Sequence, residues 1–219
     1  MKFVMQITGR TPLLMHQDNL EWQDKLKEWL ADPDNKKRSV PGDDRHPGFT
    51  WIGSIYEANG KAVLTQDMLL KCLVNAGAKV IKQRTTTYKA VVASAVYMDA
   101  VDFPLTVGGD EVPIGELIAK LADEFDYQKH CKAVEKCGFT LYAKRAPIGG
   151  AKHVRVRPRF DQWECVVTGE VEESELSRDM FTRIAAIAGA RVGLGDWRPS
   201  APKSPGSYGM FSAELKFSK

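Results

Sequence analysis

Three arginines at alternate positions, Arg155, Arg157 and Arg159, make the sharpest chemical signal in the sequence, within the run from His153 to Phe160. Residues two apart on an extended strand face the same way. The three guanidiniums would therefore form a ladder about 13 Å long, with Val154, Val156 and Phe160 turned to the core. Cations in line repel one another unless anions sit between them, and phosphates spaced along a nucleic-acid strand meet that need through bidentate hydrogen bonds. The plainer alternative is a solvated face whose charges discourage edge pairing, with Pro158 marking an edge or strand end. Lys144, Arg145 and Lys152 add positive charge just before the ladder.

A second basic segment runs from Lys79 to Lys89. Lys82, Arg84 and Lys89 alternate there with Thr85, Thr86, Thr87 and Tyr88, hydroxyls that can donate to phosphate and a ring that can stack on a base. An ordinary exposed loop explains the same composition equally well. A third segment, Gly193 to Pro199 and on to Phe211, is rich in glycine and proline. Its glycines would let backbone amides approach a ligand. Trp197 and Tyr208 offer stacking faces, Arg198 and Lys203 phosphate contacts. The alternative is a helix C-cap at Gly193 or Gly195 followed by a loop that packs Trp197 inward. The segment follows a helix and precedes a strand, the reverse of a dinucleotide or phosphate-loop motif.

Signals for catalysis are sparse. His16, His46, His130 and His153 have no local partners resembling a metal motif, and no serine elbow, HExxH or Walker loop occurs. His16 is the one candidate general base, and a lone histidine is more often structural. Neither a cofactor nor a metal is implied. Cys72, Cys131, Cys137 and Cys165 form no Cys-x-x-Cys pair, which suggests reduced thiols in a cytoplasmic setting.

These groups need a frame. The 219 residues, 43% hydrophobic and 27% charged, suit one folded core with insertions. A net charge of +3 is too small to attract a polyanion unless the cations cluster. No run approaches the roughly 20 apolar residues of a membrane span, so no membrane partner is expected.

Phe3, Met5 and Ile7 alternate as a first strand. Residues 18–31 carry a helical spacing opened by Asp18 or Asn19. Asn59-Gly60 signals a hairpin turn within 52–64, and Thr65 caps a helix that follows. The β-branched run 90–98 reads as a buried strand. Two strands, 152–160 and 163–171, read as a hairpin joined at Asp161-Gln162. A helix over 174–192 with Ser174 as cap and a last strand over 210–217 complete the pattern. The expected fold is α+β: a ferredoxin-like antiparallel sheet with helices on one face and large insertions. It forms one domain with its core from 1–31, 52–98 and 152–219, a mobile loop over 32–50 and a helical insertion over 100–150.

The opening Ile7-Thr8-Gly9-Arg10-Thr11-Pro12-Leu13-Leu14-Met15-His16, the strand Val154–Phe160, and the close Gly193–Pro199 with Gly206–Phe211 resemble a group of uncharacterised phage and prophage proteins. More distantly, a glycine-rich loop between the last helix and last strand resembles the RAMP superfamily, whose ferredoxin-like members include backbone and processing subunits of CRISPR effector complexes. That resemblance implies binding of single-stranded nucleic acid, DNA or RNA, by a homo-oligomer in the cytoplasm of a bacterial host. Pro199, Pro202 and Pro205 interrupt the loop, unlike the compact loops of the processing nucleases, so binding is implied ahead of cleavage. Two other readings stay open: a metal-independent ribonuclease using His16, and a phage assembly protein that does not bind nucleic acid.

Overall fold

The structure, a computed structural model, describes residues 1–36, 48–148, 151–203 and 205–218, and the side chains of all of these except 36, 144–148 and 151–155. The strands are β1 (Lys2–Gly9), β2 (Leu13–Leu14), β3 (Glu57–Ala58), β4 (Lys61–Thr65), β5 (Ile81–Gln83), β6 (Thr86–Thr87), β7 (Val96–Met98), β8 (Asp102–Val107), β9 (Asp110–Glu111), β10 (Thr140–Ile148), β11 (Ala151–Phe160), β12 (Glu164–Val171) and β13 (Phe211–Ser218). The helices are α1 (Leu20–Ala31), α2 (Pro33–Lys36), α3 (Gln66–Gly77), α4 (Lys89–Ala95), α5 (Gly115–Leu121), α6 (Tyr127–Glu135) and α7 (Arg178–Ile187). A 3-10 segment covers Gly48–Ser54, and a π-turn, Ala188–Val192, continues α7.

The chain divides into two compact units, one of Met1–Leu14, Lys61–Val112 and Asp161–Lys219, the other of Met15–Gly60 and Pro113–Phe160. The division differs from the expected core with insertions at 32–50 and 100–150. Residues 102–112 supply β8 and β9 to the sheet of the first unit, whereas 15–31 belong with 113–160 in the second.

The first unit is a mixed α+β body around a large antiparallel sheet, ordered β13-β1-β12-β8-β4, with β7 also on β12 and β9 on β8. Alternation produces it: Phe3, Met5 and Ile7 are buried on β1, and Cys165, Val167 and Val171 on β12, while Val4 and Val166 stay exposed. Helices α3 and α7 cover the buried face with Leu69, Leu73, Phe181 and Ile184, and Phe3 meets Phe181 edge-on at 5.1 Å. Thr65 caps α3 as expected, its side chain accepting from the Met68 N–H.

Three local expectations are corrected. Residues 89–95 are helix α4, and only 96–98 form a strand. The spacing of Val92 and Ala95 buries one side of a short helix, and alanines fill the rest without resisting it. Strands β11 and β12 are not a hairpin. β11 pairs with β10 in the second unit, and β12 pairs with β1, β7 and β8 in the first. The cap of α7 is Ser177, which accepts from the Met180 N–H, while Ser174 bonds Glu172 one turn earlier.

The second unit is built on the β10–β11 hairpin, α1, α5, α6 and the 3-10 segment. Asn19 caps α1, accepting from the Trp22 N–H. The core gathers Phe49, Trp51, Phe139 and Phe160 around His130, which is fully buried. Trp51 Nε1–H donates to His130 Nδ1 at 2.8 Å, so the ring proton sits on Nε2, 2.9 Å from the Glu124 carbonyl oxygen. Asn59 and Gly60, both at positive φ, make the expected turn before β4. Among the described residues no helix is long and apolar enough to cross a membrane.

Candidate nucleic-acid interface

The expected arginine ladder is corrected at its centre. Val156, Arg157 and Pro158 are all buried, so β11 is covered on both faces here. Arg157 is 7% exposed and donates from Nη1 to Ser54 Oγ at 3.1 Å and to its own neighbour's Val156 carbonyl at 3.5 Å. The 3-10 segment ending at Ser54 packs on β11 and takes the guanidinium inward. The Pro158 carbonyl accepts from the Met15 N–H at 3.1 Å, so the proline does not mark a bare edge. Arg159 is half-buried opposite Thr140. The backbone register sets Lys144 opposite Arg155 and Lys152 opposite Pro147, and the side chains of Lys144, Arg145, Lys152 and Arg155 lie outside the described residues. His46 and most of the expected 32–50 loop also lie outside them.

The second basic segment is an exposed hairpin of the first unit. β5 and β6 pair antiparallel with a register shift, and the Tyr88 N–H donates to the Val80 carbonyl at 3.0 Å to close its base. Arg84 stands at the tip with φ 52. Non-glycine residues rarely adopt this left-handed conformation. Lys79, Lys82, Arg84 and Lys89 are exposed, and none has an ion-pair partner among the described residues. No aspartate or glutamate occurs between Asp67 and Asp99, a stretch holding five cations: Lys71, Lys79, Lys82, Arg84 and Lys89. Lys82 Nζ lies 5.9 Å from the centroid of the half-buried Tyr88 ring, a cation–π approach. Two cations, Lys82 and Arg84, thus sit on one short hairpin, Lys79 and Lys89 flank its base, and no acidic residue occurs in this stretch of the chain. Sequence reasoning named these residues and missed the acid-free run around them, a signal open to simple inspection.

The glycine-proline segment is mostly consumed by its own packing. Gly193 caps the π-turn by donating to the Ala188 carbonyl. Leu194 N–H donates to Gly209 O, Gly209 N–H to Pro12 O, Asp196 N–H to Leu14 O, and Gly206 N–H to Arg198 O, all within 3.2 Å. A Cβ on Gly209 would fall 1.9 Å from the Leu194 carbonyl oxygen, and one on Gly195 2.2 Å from that of Leu14. Both glycines also hold positive φ. They permit backbone to touch backbone, and the Gly193, Gly206 and Gly209 amides, expected to approach a ligand, bond within the protein. Arg198 is likewise engaged, donating from Nη1 to the Gly195 carbonyl at 2.8 Å and from Nε to Ser200 Oγ at 3.2 Å. Trp197, at φ 46, and Tyr208 are half-buried with ring centroids 6.3 Å apart, and Lys203 is exposed.

His16 is half-buried, with Nε2 3.6 Å from Asp18 Oδ1. The thiols of Cys72 and Cys165 are pushed up to about 12, chiefly by burial, which leaves them unreactive near neutral pH. No protein-family model matches the chain, and no curated protein matches it either.

Proposed function

We propose that this chain binds single-stranded DNA or RNA through the β5–β6 hairpin, with Lys79, Lys82, Arg84 and Lys89 holding phosphates and Tyr88 available to stack a base. The observation that carries this reading is the run of four exposed cations on and beside the β5–β6 hairpin, within an acid-free stretch of the chain. Each cation that neutralises a phosphate releases condensed counterions, so affinity comes from the hairpin's local charge, whatever the chain's small net charge. Trp197 and Tyr208 form a second aromatic surface on the same unit, with Lys203 beside it in the chain.

The strand order supports reading the first unit as a ferredoxin-like, RAMP-like core. In the order β13-β1-β12-β8, α3 lies in the chain between β1 and β8 and α7 between β12 and β13. Taken as the four strands of a β-α-β-β-α-β unit, these strands run in the order fourth, first, third, second, which supports the ferredoxin-like reading. The glycine-proline loop occupies the place between last helix and last strand. Its bonded backbone makes it a scaffold for Trp197 and Tyr208.

The test is fluorescence anisotropy with labelled single-stranded DNA, single-stranded RNA and duplex at two salt concentrations. The reading expects a single strand to bind more tightly than duplex, with affinity falling steeply as salt rises. Equal or absent binding of all three at low salt refutes it.

A further inference from the structure

Strand β13 lies at one end of the sheet and pairs only with β1 among the described residues. Its register with β1 is unbroken over eight residue pairs, from Lys2↔Ser218 to Gly9↔Phe211, with no bulge. It contains neither proline nor glycine, and its inward residues Phe211, Ala213, Leu215 and Phe217 are all apolar. Of the devices that blunt a sheet edge, bulges, prolines and inward charges are missing along it, and the two charged side chains it carries, Glu214 and Lys216, are of opposite sign. Every second backbone N–H and C=O of such a strand points away from its neighbour and calls for a partner.

The side chains say which partner. Glu214 and Lys216 are both exposed, on the face opposite the helices, and neither has an ion-pair partner among the described residues. Two copies of β13 set antiparallel about a twofold axis through Leu215 would place Leu215 opposite Leu215. Glu214 would face Lys216 of the second copy, twice over, and the small Ala213 would face the large Phe217, again twice. Ala213, Leu215 and Phe217 are half-exposed at this rim, so the pairing also covers apolar surface. Few short strands are self-complementary in charge, size and backbone at one register, as a closed twofold interface requires.

We propose that two copies of this chain join through their β13 edges into one continuous antiparallel sheet, forming a closed pair. Sedimentation of the full chain without nucleic acid tests this apart from the binding function. Wild type is expected to sediment at twice its 24.4 kDa mass. Glu214→Lys alone and Lys216→Glu alone each turn two attractive cross-strand pairs into repulsive ones and should raise the dissociation constant about tenfold or more. The double variant should restore the dimer, and an equimolar mixture of the two single variants should form a heterodimer, since one then offers only Lys where the other offers only Glu. A wild-type monomer, a larger oligomer, or a dimer indifferent to both reversals overturns the proposal. All variants change exposed side chains, and unaltered circular dichroism confirms that loss of pairing is not loss of fold.

Discussion

His130 is the residue whose chemistry is most tightly fixed. Its Nδ1 must stay unprotonated to accept from Trp51, and burial, ahead of the opposing pull of the Glu124 carbonyl and the nearby Glu124 and Asp126 charges, lowers its pKa. As pH falls below the ordinary histidine value of about 6.5, the unfolded chain takes up this proton before the folded one. Stability is therefore full above that value and declines below it. Urea unfolding between pH 7.5 and pH 5, conditions set by that ordinary value of about 6.5, should show the decline in wild type. His130→Ala should remove its share of the slope and cost about 2–4 kcal/mol, from the cavity and the orphaned Trp51 N–H. The carboxylates Glu124, held at about 2 chiefly by Lys129, and Glu172, lowered chiefly by Ser174, lose their contributions at more acid pH, outside this window. Arg157 is the second informative residue. Arg157→Ala should lower stability by roughly 2 kcal/mol or more, because a packed side chain and its bond to Ser54 are lost. A variant that lost nucleic-acid affinity with an unchanged unfolding midpoint would return Arg157 to the surface role its spacing suggested.

At the scale of elements, local chemistry was legible and pairing was not. Asn19, Thr65 and the Asn59-Gly60 turn are where the sequence put them, because a cap or a turn depends on a few adjacent residues. Strand partnership depends on residues far apart in the chain, and the short Asp161-Gln162 link suggested a hairpin where the chain crosses between units. The burial of Arg157 was hidden for the same reason: Ser54, its partner, is 103 residues away. Helix α7 shows the finer limit, since Ser174 and Ser177 both precede it within one turn. Ser177→Ala should cost about 1 kcal/mol and Ser174→Ala less than about half of that, read from thermal unfolding. Equal costs would move the cap.

On the scale of the whole molecule, a modest net charge conceals a strong local one. The cations of the β5–β6 hairpin belong to the unit that carries the large sheet and the Trp197–Tyr208 pair, while the β10–β11 arginines belong to the other. The function proposed therefore rests on the hairpin, and the most direct measurement is its salt response. Wild type and the Lys82→Ala, Arg84→Ala, Lys89→Ala triple variant are titrated against a labelled single strand over a series of salt concentrations. Loss of three phosphate contacts should weaken binding at low salt by tenfold or more, and flatten the slope of log affinity against log salt by about 2. Identical affinities and slopes for the two proteins would contradict the account.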